Sequence, residues 1–136
     1  MPSRTPHLLR AILVTASGDE QARSIARILV GERLAACVNI IGPIRSVYRW
    51  RDAVEDEPEY LLVIKTRATL YNKVERRVLE LHTYEVPEVL AVKIDRGSPP
   101  YVKWLLESTG HGMFAGAKSR TKSARRNNVP ASSKAK

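Results

Sequence analysis

Residues 8–29 read LLRAILVTASGDEQARSIARIL, and the pattern of this stretch changes once, at Ser17-Gly18. Before that point, apolar side chains fill all positions but one from Leu8 to Val14, which is typical of a strand. After it, Ser17 and Glu20 have the spacing of a capping box. Apolar residues then recur at helical spacing: Ala22, Ile25, Ala26 and Leu29. The stretch therefore predicts a strand followed by a helix over about residues 19–33.

The next segment predicts two strands joined as a hairpin. Residues 35–41 are apolar, Gly42-Pro43 interrupts them, and residues 44–51 alternate in polarity, which indicates a long, bent strand. Residues 60–66 are again typical of a strand, so 44–66 are predicted to form a hairpin. The acidic residues between 52 and 59 are expected at its solvated tip, because they lack the spacing of a calcium loop.

The remaining segments repeat the opening order. Apolar spacing predicts a helix over about 70–82 and a strand over 89–94, and Ser98-Pro99 opens a short last helix. The order predicts an α+β fold, a ferredoxin-like βαββαβ sandwich with an extended hairpin and a C-terminal helix. An exposed strand edge carrying Tyr48 and Trp50 favours pairing with another copy of the chain.

The positive charge is concentrated at the C-terminus. The 136 residues carry a net charge of +9, yet residues 110–136 hold seven Lys and Arg and no acid. We expect a flexible N-terminus at 1–7, one domain at 8–109 and a disordered basic tail at 110–136. Such a tail could associate with nucleic acid or another polyanion through electrostatics alone, or it could serve only solubility.

Several protein classes are excluded or disfavoured. The sequence has no stretch of about 18 apolar residues, so no membrane-embedded protein is predicted. It contains no nucleotide-binding loop, zinc spacing or catalytic triad motif. The single cysteine, Cys37, cannot form an internal disulfide, is interpreted as a buried thiol, and is compatible with a cytoplasmic protein.

Residues 81–88, LHTYEVPE, are the densest in polar chemistry. His82 could accept a proton or bind a metal, Tyr84 could donate a hydrogen bond and stack, and Glu85 could supply a counter-charge. Alternatively, His82 merely caps the end of the preceding helix, where a cation is favoured.

Three strings make the chain recognisable: RLAACVNI at 33–40, SVYRW at 46–50 and HTYEVPE at 82–88. Together with flanking matches over about residues 8–109, they resemble the CutA divalent-cation-tolerance family. The resemblance implies a ferredoxin-like subunit in a homotrimer like that of the PII signalling proteins. It also implies a role in the response to copper and other divalent cations, with no established catalytic reaction.

The resemblance also implies functional positions, some of which depart from the family pattern. Thr83 stands where proline is usual, and only His82 remains of the proposed copper ligands, so copper(II) or another divalent cation is predicted to bind weakly there. Six residues are ligand-pocket candidates at a subunit cleft, for an anionic or amphipathic ligand: Tyr48, Trp50, Lys65, Tyr84, Glu85 and Trp104. These side chains could instead only hold the trimer together. We expect no enzyme, although an uncharacterised activity at the cleft is a further alternative.

Overall fold

The computed structural model describes residues 8–110, which form a four-stranded sheet and three α-helices. The predicted flexible residues 1–7, and residues 111–136 of the predicted tail, lie outside the described residues. The elements, in chain order, are β1 (Leu9–Ala16), α1 (Asp19–Gly31), β2 (Cys37–Trp50), β3 (Ala53–Arg67), α2 (Tyr71–Leu81), β4 (Leu90–Lys93) and α3 (Pro99–Glu107). The sheet is antiparallel in the order β2-β3-β1-β4, so the predicted α+β architecture is confirmed.

The hairpin differs from the prediction at its tip. Arg51 and Asp52 have φ angles of 49° and 69°. Positive φ at both residues is what a two-residue type I′ turn requires, and this turn matches the twist of paired strands. Trp50 is therefore already opposite Ala53, and the acidic residues that follow belong to β3. The prediction of a solvated tip over 52–59 is therefore wrong in its extent: Asp52 lies in the turn, but β3 begins at Ala53 and Glu59 is buried. β2 is one long strand with a shift in register between Ile41 and Ile44, where the sequence predicted a bend.

The start of α1 also differs from the prediction. Gly18 is the N-cap, and no side chain caps the first turn, so the capping box predicted at Ser17 is absent. The apolar stripe is as predicted, because Ala22, Ile25, Ala26 and Leu29 are all buried.

One face of the sheet, here called the covered face, packs against α1 and α2. Its strand residues Ile12, Val14, Leu62 and Ile64 are completely buried, and they form one core with residues of both helices such as Leu29 and Val78. This core is built by the alternation of side chains along β1 and β3.

The other face, here called the open face, carries the intervening residues. By strand alternation and register, its middle is mostly apolar, with Asn39 opposite Val63 as the polar exception; the apolar members are Ala11, Leu13, Ile41, Leu61, Val63, Leu90 and Val92. One end is covered by α3, where Leu9 packs with Val102 and Leu105. The other end is covered by the loop of residues 82–89. No helix of residues 8–110 is long and apolar enough to cross a membrane.

Candidate functional site

A cavity of about 650 Å³ lies between the hairpin and the 82–89 loop. Three segments of the chain enclose it: the end of β1, the hairpin strands and residues 84–88. Its lining is Thr15, Ser46, Val47, Tyr48, Trp50, Glu59, Tyr84, Glu85, Val86 and Glu88. The cavity thus combines three aromatic side chains with three carboxylates, within the size range of small-molecule sites.

His82 holds the loop against the end of β1. Its Nε2 lies 2.7 Å from the carbonyl oxygen of Thr15, and the backbone N–H of Tyr84 donates to its Nδ1 at 3.1 Å. Because Nδ1 accepts a hydrogen bond, we assign the ring proton to Nε2, which donates to Thr15. The imidazole is 9% exposed. Both ring nitrogens therefore hold backbone groups that position Tyr84.

Thr83 gives the loop a second attachment. The Gln21 Nε2 of α1 donates to the Thr83 hydroxyl oxygen at 3.0 Å. A proline at position 83 could not accept this bond through its side chain. The departure from the usual family string thus has a local role here, since it connects the loop to the first helix.

Glu59 is the most buried acid of the cavity. It lies on the open-face side of β3, opposite Ile44, and is 6% exposed. The Tyr84 hydroxyl donates to Glu59 Oε2 at 2.6 Å. Burial, followed by this bond to the carboxylate, raises the pKa of Tyr84 well above its ordinary value. Tyr84 therefore stays protonated and acts as the donor.

Two further acids extend the negative character of this region. Burial raises the pKa of Glu88, and the nearby charge of Glu59 adds to the effect. The Tyr48 hydroxyl donates to Glu57 Oε1 at 3.2 Å. Loss of solvation, followed by the charge of Glu57, raises the pKa of Tyr48. Both tyrosines are thus hydroxyl donors to carboxylates at neutral pH.

The rim of the cavity carries one ion pair. Arg51 at the hairpin turn lies 2.9 Å from Glu85 Oε1, and both side chains are about two-thirds exposed. The Arg51 guanidinium also lies 4.9 Å from the centroid of the Trp50 ring. An exposed pair of this kind contributes little to stability, but it neutralises Glu85 at the rim and leaves Glu59 and Glu88 as the inner charges.

The structure brings together four of the six predicted pocket residues. Tyr48, Trp50, Tyr84 and Glu85 line the cavity. Lys65 lies on the open face, opposite Ala11 and Cys37, and its Nζ donates to Asn39 Oδ1. Trp104 packs on α3 against the cluster at Leu9, at the far end of β1. That ligand binding occurs at the predicted residues stays a prediction.

Sequence reasoning missed Glu59 and Glu88. Glu59 was assigned to the hairpin tip, although two-residue alternation backward from Leu61 places it on the same face as that residue. Glu88 ends the HTYEVPE string and was counted only as part of the resemblance.

Metal ligands do not converge in one copy of the chain. Among residues 8–110, no group of three or more His, Cys, Asp or Glu side chains is placed to hold a metal ion. Cys37 is partly exposed on the edge strand β2, so the prediction of a buried thiol is wrong; its Sγ lies 3.8 Å from Asn39 Oδ1 on the open face, remote from His82. A copper(II) ion at His82 would have to displace a backbone partner from the ring.

Known proteins similar to this chain share one family description. A family model described as "CutA1 divalent ion tolerance protein" matches residues 10–108. The Thermus thermophilus divalent-cation tolerance protein CutA is 46% identical over 99 residues, covering 73% of this chain and 96% of that protein. Human protein CutA is 39% identical over 104 residues, covering 76% of this chain and 58% of the human protein.

Solved structures agree with the sequence matches. The T. thermophilus CutA1 structure has a TM-score of 0.74 at 45% identity, covering 76% of this chain and 100% of that one. The CutA1 structure of Oryza sativa has a TM-score of 0.75 at 39% identity, covering 79% of this chain and 98% of that one. The chain spans less than two thirds of the length of the vertebrate relatives that it matches.

Proposed function

Because the chain belongs to the CutA1 divalent ion tolerance family, we propose that it is a non-enzymatic homotrimer in the response to divalent cations, copper(II) among them. The family description and the name of the T. thermophilus relative describe tolerance and no reaction. A cytoplasmic location is part of the proposal, supported by the single cysteine.

The apolar open face is the observation that carries the assembly. In one copy, Ile41, Leu90 and Val92 remain 48%, 57% and 49% exposed in the middle of this face. A contiguous apolar surface of this kind marks an interaction site.

The sheet also ends in two different edge strands, β2 and β4. Joining the β2 edge of one copy to the β4 edge of the next makes a head-to-tail contact, which forms a ring when the rotation between copies closes. The number three follows from the family resemblance.

The assembly is tested with one charge on the open face and one elsewhere. Leu90→Glu places a carboxylate on the open face, and Leu79→Glu places it on α2, at a residue that is similarly exposed in one copy. We expect light scattering to give a trimer for the wild type and Leu79→Glu, and a folded monomer for Leu90→Glu. A monomeric wild type, or a Leu90→Glu trimer, contradicts the proposal.

Copper(II) binding is tested separately from assembly. In a single copy, the described His, Cys, Asp and Glu side chains do not converge on a copper site. The trimer would have to bring several His82 rings together, and each ring would have to release a backbone partner, so we expect weak binding. Calorimetric titration with copper(II) should show heat for the wild type and less for His82→Gln. Equal heats would exclude His82, and no heat from the wild type would exclude copper binding.

The basic tail favours a second candidate, polyanion association. Residues 110–136 contribute +7 of the net +9, and a trimer would present three such segments. The binding of a labelled DNA duplex across a salt series tests this candidate. We expect the wild type to lose affinity steeply with salt, and a variant with the seven tail Lys and Arg changed to Gln to bind far more weakly. Equal binding by the two proteins contradicts it.

A further inference from the structure

The cavity under the hairpin has an unbalanced charge. Glu59, Glu85 and Glu88 line it, and no lysine or arginine among the described residues does. Arg51 lies at the rim and pairs with Glu85. The inner part of the cavity therefore holds two carboxylates, Glu59 and Glu88, without a basic side chain in its wall.

Glu59 is the carboxylate for which the missing positive charge matters most. The residue is 94% removed from solvent, and the hydrogen bond that it receives comes from the neutral hydroxyl of Tyr84. Within residues 8–110 it makes no ion pair. Burial of an ionised carboxylate costs free energy unless the charge is paired. A cation entering the cavity would supply that pairing.

The walls indicate what kind of cation fits. Tyr48, Trp50 and Tyr84 offer aromatic surfaces, and Val47 and Val86 add apolar ones. Aromatic faces attract organic ammonium groups through the charge distribution of the ring, and apolar walls bind the attached hydrocarbon. A bare metal ion would leave most of about 650 Å³ unfilled. In addition, no described His, Cys, Asp or Glu side chains converge on a metal position.

We propose that this cavity binds an organic ammonium cation, with the ammonium group beside Glu59 and the hydrocarbon part between Tyr48, Trp50 and Tyr84. The ammonium group then donates hydrogen bonds to a carboxylate that is already fixed by Tyr84. This inference goes beyond divalent-cation tolerance. Of the anionic or amphipathic ligand expected from the sequence, it keeps the amphipathic character and proposes the opposite charge. That expectation relied on Lys65, which lies about 20 Å along β3 from Glu59.

Three small probes of similar shape separate charge from packing. Benzylammonium, benzyl alcohol and benzoate carry positive, zero and negative charge at neutral pH, and each can be titrated calorimetrically into the full chain. We expect benzylammonium to bind at least about tenfold more tightly than benzyl alcohol, since a hydrogen bond between charged groups is stronger than one from a neutral hydroxyl. Benzoate should not bind. Equal binding of the alcohol and the ammonium, or binding of benzoate, overturns the proposal.

Variants locate the site. Glu59→Gln keeps the shape and removes the charge, and we expect about a tenfold loss of benzylammonium affinity. Glu107→Gln removes an exposed carboxylate on α3 and should change nothing. If Glu59→Gln does not fold, Glu88→Gln removes the other inner carboxylate and should weaken the ammonium while sparing the alcohol. Unchanged affinity in the variant that folds overturns the proposal. The same titrations on the Leu90→Glu monomer show whether the cavity of one copy is sufficient, and light scattering of each protein reports the assembly, so the two proposals fail separately.

Discussion

The two faces of this sheet are built from the same strands yet end in opposite states. On the covered face, Leu62 is fully buried under the helices. On the open face, its neighbour Leu61 lies beside Ile41 and Thr15 and remains partly exposed. Two adjacent residues of β3 thus belong to different environments: Leu62 to the buried core, and Leu61 to an apolar surface that a single copy leaves partly exposed.

The composition of β1 already indicates that its second face is also apolar. A strand with one solvated face normally alternates apolar and polar residues, whereas β1 is apolar at nearly every position. Such a run is typical of a strand buried on both faces. The helices of one copy cover only one of the two faces, and the proposed assembly would cover the other.

The largest expected effect compares Leu62 with Leu61 in the Leu90→Glu background, where the proposed assembly is absent. Leu62→Ala should lower the free energy of unfolding by about 2–5 kcal/mol, because it leaves a cavity in the core. Leu61→Ala should cost less than about 1 kcal/mol. Urea unfolding measures both values. Equal losses would mean that the two faces do not differ in a single copy.

A second effect concerns the polar end of the open face. Tyr84→Phe removes the donor to Glu59 Oε2 and leaves a buried carboxylate without it. We expect a loss of about 1.5–3 kcal/mol in the free energy of unfolding. Tyr48→Phe is the matched control, because its hydroxyl bonds the exposed Glu57 and should contribute far less. If both variants lose the same free energy of unfolding, the burial of Glu59 does not strengthen its hydrogen bond with Tyr84.

A third effect concerns Gly42, which lies against Tyr60 at the end of the covered face. A Cβ at this position would lie 2.5 Å from the Tyr60 ring, which packs against the core. Gly42→Ala should therefore cost about 1–2 kcal/mol as the half-buried ring moves aside. Gly31→Ala, in the last turn of α1, meets open space and should be neutral or stabilising. Thermal unfolding compares the two, and a neutral Gly42→Ala would show that Tyr60 is not fixed there.

Local patterns predicted the fold because each element has its own periodicity. The hairpin tip was mispredicted because Arg51-Asp52 lacks the glycine that usually marks a two-residue turn, so the acids after it were placed in solvent. The site was predicted in part. HTYEVPE identified the loop, but Glu59 accepts its hydrogen bond from Tyr84, 25 residues further along the chain. No local pattern reports such a contact.

The smallest effect concerns Glu88 and depends on pH. Burial, followed by the charge of Glu59, raises the pKa of Glu88 in the folded state. At a pH below the ordinary pKa of glutamate, the carboxyl is protonated in both states and contributes nothing. As the pH rises through the raised pKa, the folded state must ionise a partly buried group, so the free energy of unfolding decreases.

Glu88→Gln removes this penalty. The variant should therefore be more stable than the wild type at about pH 7, by well under about 1 kcal/mol because water screens a partly exposed group. The two proteins should be equally stable at about pH 4. Glu85→Gln is the control, since Glu85 is exposed and already paired with Arg51, and it should give no gain at either pH. Urea unfolding at the two pH values measures the difference, and a Glu88→Gln protein less stable than the wild type at about pH 7 would mean that a cation already balances Glu88.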